Sequence, residues 1–168
     1  FPPSATSPET TLDWMSQHLL DQATRILFLV NEREHGYVGH IGLWLHDSER
    51  LEIDNVVKAP ECTLRGVMSR ALATLARWCA NNLPVNDLYL RVISTNDHAI
   101  KFYKANSFSE WKSESVLTNS LGDLRSCDSN GQGASEHELR WLVMRATLSQ
   151  FTASSPAEIL TAGPAIST

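Results

Sequence analysis

The sequence predicts a mixed α/β fold, a mainly antiparallel sheet flanked by helices. Three observations carry this expectation. Residues 25–57 hold three apolar runs of strand length, separated by polar turns. Residues 66–82 then carry one long amphipathic stripe. A further apolar run at residues 88–93 follows, so the strands on either side of that helix must be parallel if they are neighbours.

The elements follow in order. Residues 1–10 contain Pro2, Pro3 and Pro8 among Ser and Thr residues and read as an N-terminal arm. Ser7-Pro8-Glu9 is a helix start, and Leu12, Met15, Leu19 and Leu20 recur at helical spacing. Arg25 to Val30 contains the apolar run Ile26-Leu27-Phe28-Leu29-Val30, short enough for a strand covered on both faces. Glu34-His35-Gly36 turns the chain into a second strand, Tyr37 to Leu45, in which Gly39 and Gly42 suggest a bulge or a close backbone approach. Asp47 to Arg50 is a second turn and Leu51 to Val57 a third strand. Gly66 to Asn82 is the clearest helix, with Met68, Ala71, Leu72, Leu75 and Cys79 on its apolar stripe, and Pro84 stops it. Leu88 to Ile93 is a strand. Asn96 caps a helix that runs to about Asn106. Phe108 to Leu117 reads as a strand, residues 119–136 as a long polar loop, and Leu139 to Leu148 as a last strand. The domain is expected to span residues 11–148, with a disordered tail over 149–168. Trp14, Trp44 and Trp78 lie on apolar patterns and are expected in the core.

Composition narrows the function. The 168 residues suffice for one domain with a core, and 42% are hydrophobic against 20% charged. A net charge of −5 argues against a nucleic-acid binder, which needs a basic surface. No run is long and apolar enough to span a membrane, and no secretory signal is visible. Three separated cysteines form no disulfide framework, and neither they nor the six histidines show metal spacing, so no metal is expected. His40 and His46 read as ordinary core or surface histidines and Cys62 as an inert thiol. The expected compartment is the cytoplasm. The chain opens with Phe1, as a fragment or processed product would. Neither a G-x-S-x-G elbow nor a P-loop occurs.

Three features between residues 51 and 108 can carry chemistry. On the third strand Glu52 and Asp54 project from one face and Leu51 and Ile53 from the other. Two carboxylates held close and partly buried raise each other's pKa, which suits a general base; a solvated strand face is the plainer alternative. The turn Cys62-Thr63-Leu64-Arg65-Gly66-Val67 enters the long helix, where backbone N–H groups and the helix dipole favour an anion; an ordinary helix start would look the same. Finally Asn96, Ala99 and Tyr103 share a broad helix face. A tyrosine there either donates a proton or packs in the core.

Asn96-x-x-Ala99-x-x-Phe102-Tyr103 followed by Phe108 resembles the N-x-x-A-x-x-[FL]-Y-x-x-x-G-F signature of the GNAT superfamily of N-acetyltransferases. The order of acidic strand, phosphate turn, helix and strand is also similar. The resemblance implies a GNAT-like sheet whose first strand and helix are missing from this chain, with a V-shaped opening between the Leu51–Val57 and Leu88–Ile93 strands. It implies acetyl-CoA as cosubstrate. The pantetheine arm would pair along Asn55, Val56 and Val57, and the pyrophosphate would sit on Leu64, Arg65, Gly66, Val67 and Met68, with Asn96 and Ala99 also at the cofactor. Tyr103 would protonate the departing thiolate, and Glu52 or Asp54 would deprotonate a small-molecule amine acceptor. A homodimer is left open. Departures are Thr63, Gly66 and Met68 in the [QR]-x-x-G-x-[GA] turn, where Met68 replaces a small residue, and Ser107 in place of glycine. The pattern Ile53 to Val57 with Gly66-Val67-Met68 is similar to bacterial enzymes acting on amino groups of nucleotide-linked sugars, for which Lys58, Arg65 and Arg91 are candidate contacts. The alternatives are acetylation of protein or polyamine amines, or a non-catalytic acyl-CoA-binding module.

Overall fold

A computed structural model describes residues 7–17, 22–46, 50–118, 124–127 and 140–152. Its elements are α1 (Pro8–Met15), β1 (Arg25–Glu32), β2 (Gly36–Leu45), β3 (Leu51–Lys58), α2 (Val67–Asn82), β4 (Asp87–Ile93), α3 (Asp97–Ala105), β5 (Ser109–Thr118), β6 (Leu124–Cys127), β7 (Arg140–Thr147) and α4 (Ser149–Thr152). One seven-stranded sheet runs in the order β1-β2-β3-β4-β7-β5-β6. Every neighbouring pair is antiparallel except β3 and β4, which the α2 crossover makes parallel.

The core lies between α2 and one face of the sheet. Leu72, Ala76 and Cys79 of α2 have no exposed surface, and they share a cluster with Ile41, Leu43, Leu51, Ile53, Leu88, Leu90 and Met144. The stripe read from the sequence is therefore the buried face of the helix. Leu83 ends α2 in an extended conformation, φ −121° and ψ 142°, as the residue before Pro84 must. α3 starts on Asn96, whose side-chain oxygen accepts a hydrogen bond from Ala99 N at 3.1 Å.

Several expectations are corrected. The polar loop placed at 119–136 contains β6, which pairs with β5 from Ser115↔Cys127 to Thr118↔Leu124. The tail placed from residue 149 begins instead with the short helix α4, because Phe151 is buried and α4 packs against α2; residues beyond 152 lie outside those described. Trp78 is 41% exposed despite its place near the apolar stripe, and its ring meets Phe28 at 5.8 Å. Helix α1 begins at Pro8, inside the arm, and ends at Met15; Leu19 and Leu20 lie outside the described residues, as does the side chain of Trp14.

Two irregularities position the site. Between β2 and β3 the register moves from Gly42↔Asp54 to His40↔Val57, so Asn55 and Val56 together face Ile41. Asn55 takes φ 45°, a left-handed conformation that asparagine tolerates better than most residues. This bulge bends β3. Its ladder with β4 ends at Ile53↔Leu90, while β3 continues to Lys58 and β4 to Ile93. The two parallel strands therefore part, which is the V-shaped opening that the resemblance implies.

Candidate active site

The sheet face opposite the α2 core carries the two carboxylates of β3, and their surroundings differ. Glu52 is 3% exposed. Its Oε1 accepts a hydrogen bond from Arg91 Nε at 2.8 Å, its Oε2 lies 2.8 Å from His46 Nε2, and Arg50 Nη2 is 4.0 Å away. The strand alternation places Asp54 on the same face, two residues nearer the opening. Asp54 Oδ2 pairs with Arg25 Nη1 at 3.1 Å. Burial holds the Asp54 pKa above the usual carboxylate range and the charge on Glu52 pushes the same way, while Arg25, Asn55 and Arg91 oppose the shift. Gly42 sits opposite Asp54, and a Cβ there would collide with Asp54 Oδ1, so the glycine makes the room that the carboxylate occupies.

Trp44 organises two of the side chains that partner these acids. The Arg25 guanidinium lies 3.8 Å from the Trp44 ring centre and the His46 ring packs on Trp44 at 3.7 Å. One indole thus holds the partner of Asp54 and a partner of Glu52. His46, set aside at the sequence level, belongs to this network. Its role depends on contacts between strands, which residue spacing does not reveal.

Tyr103 comes from α3. Its pKa is pushed up to about 12, first by burial and then by the negative charge of Asp54, so the phenol keeps its proton at neutral pH. The last turn of α3 fixes it. Phe108 N donates to Tyr103 O at 3.1 Å and Ser107 N donates to Lys104 O at 3.3 Å, a Schellman ending. The Tyr103 and Phe108 rings meet at 6.0 Å, the apolar contact that accompanies this motif. Ser107 holds the left-handed position with φ 70°, so the serine found where the family signature has glycine does carry backbone strain.

A cleft of about 460 Å³ runs from the parted end of β3 to the start of α2 and along α3. Of the expected cofactor residues it brings together Val56, the turn from Leu64 through Arg65, Gly66 and Val67 to Met68, and Ala99, with Tyr103 at its wall. Lys58 also lines it, as do Ser69, His98 and Phe102, which sequence reasoning did not single out as site residues. They are the helical neighbours of residues that it did. Asn55 and Val57 are not among the lining residues: Asn55 forms the bulge and hydrogen-bonds Asp54, and Val57 pairs with His40. Asn96 spends its side-chain oxygen on capping α3.

The cleft suits a phosphate-bearing ligand. Gly66 enters α2 at φ 70° and ψ 0°, and no side chain caps the helix, so the N–H groups of its first turn remain directed outward. Lys58 and Arg65 line the cleft and no carboxylate does. Met68 turns its sulfur onto β2, 3.1 Å from the place a Cβ on Gly39 would take. Among the described residues no His/Cys/Asp/Glu group could hold a metal ion, and no helix is long and apolar enough to cross a membrane.

A family model described as the Acetyltransferase (GNAT) family matches residues 2–108. The chain belongs to this family. It is accordingly an N-acetyltransferase that uses acetyl-CoA. Among curated proteins no sequence match is found. Solved structures resemble it in fold. A spermidine N-acetyltransferase from Vibrio cholerae, in complex with CoA and spermine, is 16% identical with a TM-score of 0.61, covering 87% of this chain and 78% of its own. A GNAT family acetyltransferase from Elizabethkingia anophelis with acetyl-CoA bound is 14% identical with a TM-score of 0.58, covering 84% and 83%.

Proposed function

We propose that this GNAT enzyme acetylates a primary amine with Asp54 as general base and Tyr103 as general acid. The observation that carries the assignment is the placement of Asp54 and Tyr103 within electrostatic reach of each other where β3 parts from β4. Both groups have raised pKa values, so one is brought closer to the range of a useful base and the other keeps its proton.

Acetyl-CoA supplies an acetyl thioester for attack by the amine nitrogen, with the thiol as second product. The first-turn N–H groups of α2, with Lys58 and Arg65, hold the pyrophosphate. The edge of β3 from Asn55 to Val57, which has no strand partner on the β4 side, offers main-chain groups to the pantetheine arm and to the developing oxyanion. Ala99 packs beside it, and Asn96 serves through the first turn of α3 that it caps. Asp54 takes the proton that the ammonium form of the acceptor loses before attack. Tyr103 Oη gives its proton to the departing sulfur and recovers one from the nitrogen as the amide forms. Glu52 is a positioning residue: Arg91 and His46 occupy its oxygens, and its charge adds to the burial that raises the Asp54 pKa.

For the acceptor, the pattern Ile53 to Val57 with Gly66-Val67-Met68 favours the amino group of a nucleotide-linked sugar. The spermine complex of the Vibrio relative and the net charge of −5 favour a polyamine. Thiol release measured against amino-sugar nucleotides, polyamines and peptide amines separates the two. Asp54→Asn and Tyr103→Phe are each expected to lower kcat by about 10²- to 10⁴-fold with acetyl-CoA affinity retained. A Tyr103→Phe enzyme that turns over at the wild-type rate contradicts the acid role. A folded wild type that binds acetyl-CoA but releases no thiol with any amine returns the non-catalytic reading.

A further inference from the structure

The sheet face that carries Asp54 and Glu52 continues across β4, β7 and β5 into a second cluster that the reaction chemistry does not use. Tyr89 stands beside Glu52 in the parallel ladder. Its ring meets that of Trp111 at 5.3 Å, and Trp111 is 47% exposed. Trp111 is an extra residue in β5, in the bulge between Glu110↔Met144 and Lys112↔Val143. The Arg145 guanidinium lies 5.9 Å from the Trp111 ring centre and Lys112 Nζ lies 5.1 Å from it. On the other side the Arg50 guanidinium lies 5.9 Å from the Tyr89 ring centre.

The charges on this platform are not balanced. Arg91 is paired with Glu52 and Lys112 with Glu114. Arg145 has no carboxylate within ion-pair distance among the described residues. A guanidinium left over beside a half-exposed indole, on a chain of net charge −5, is a local exception to the sign of the whole molecule. Arginine is also the side chain whose planar fork matches carboxylate and phosphate oxygens. Ile53, Leu90, Met144 and Glu110 stand in one row across the sheet, so their neighbours Asp54 and Trp111 are nearly level and three strand spacings apart, roughly 15 Å.

We propose that Arg145, Trp111 and Tyr89 form a second acceptor subsite, which holds an anionic group and a planar ring at the end of the acceptor remote from its amine. This rests on the acetyltransferase reading of Asp54 and Tyr103 and narrows it: the acceptor is an extended, anionic, ring-bearing amine and not a polycation. The ring lies on Trp111 and Tyr89, and the anion is met by Arg145.

The test is calorimetry on the full chain saturated with CoA, so that nucleotide probes cannot enter the cofactor cleft. The probes are UDP and ADP, with uridine and inorganic pyrophosphate as the ring and the anion alone, and spermine as the polycation. A nucleoside diphosphate is expected to bind at least tenfold more tightly than uridine or pyrophosphate. Arg145→Ala and Trp111→Ala are each expected to weaken it at least tenfold while leaving CoA affinity unchanged, which also reports that the variants fold. The proposal is overturned if neither diphosphate binds, if binding ignores both substitutions, or if spermine binds more tightly than either. Failure of CoA itself to bind is a different result and removes the underlying enzyme reading.

Discussion

Asp54 and Glu52 stand two residues apart on one strand face, and the structure gives them unequal work. Glu52 is the more deeply buried and has cationic or imidazole partners at both oxygens. Its loss would leave Arg91 and His46 without their carboxylate. Glu52→Gln is therefore expected to destabilise the fold by about 2 kcal/mol, read as a lowered denaturant midpoint at unchanged m-value. Asp54 has one arginine, itself resting on Trp44, and a pKa above the usual range. Because Arg25 is the largest effect that lowers that pKa, Arg25→Ala is expected to raise it further. The acidic limb of kcat/KM against pH should then move to higher pH than in the wild type; an unmoved limb assigns the base elsewhere. Alternation along β3 made the shared face of the two acids legible in the sequence. Their division of labour was not legible, because Arg91 lies 39 residues from Glu52 in the chain and Arg25 lies on another strand.

At the scale of elements, the site depends on places where regular structure is interrupted. The bulge at Asn55 parts β3 from β4, Gly42 leaves space for the Asp54 carboxylate, and the left-handed Ser107 ends α3 so that Tyr103 packs on Phe108. Gly42→Ala is expected to displace Asp54 and lower kcat at least tenfold while acetyl-CoA still binds, since Gly42 is not among the residues lining the cleft. Ser107→Gly removes a left-handed penalty of about 1–2 kcal/mol and adds about 0.5–1 kcal/mol of unfolded-chain entropy. A net stabilisation of about 0.5–1 kcal/mol, or a few degrees in Tm, is expected. Helix α2 was legible from its apolar stripe and the stop before Pro84, and α3 from its Asn96 cap and its Asn106-Ser107 end. Strand β6 was not, because Leu124-Arg125-Ser126-Cys127 is too short for its alternation to stand out from a polar stretch. The four residues of α4 were missed for the same reason; only the burial of Phe151 against the domain accounts for them.

At the scale of the molecule, one crossover determines most of the function. The run from β3 through α2 to β4 forces the one parallel pair of the described sheet, aims the uncapped start of α2 at the gap where that pair diverges, and leaves the two carboxylates on the opposite face. The crossover was readable from the order of strand, helix and strand. The insertion of β7 between β4 and β5 was not, because nothing local in residues 140–147 reports which strands they will join. That insertion is also what brings Arg145 beside Trp111. The central claim, that acetyl-CoA binds at the start of α2, is tested most directly by calorimetric titration of acetyl-CoA into the wild type and Gly66→Glu, with thermal unfolding alongside. Micromolar binding by the wild type is expected, with about 2.7 kcal/mol of stabilisation at a hundredfold excess over Kd, and no binding by a folded Gly66→Glu. A folded wild type that does not bind acetyl-CoA, or a Gly66→Glu variant that binds it equally well, contradicts the claim.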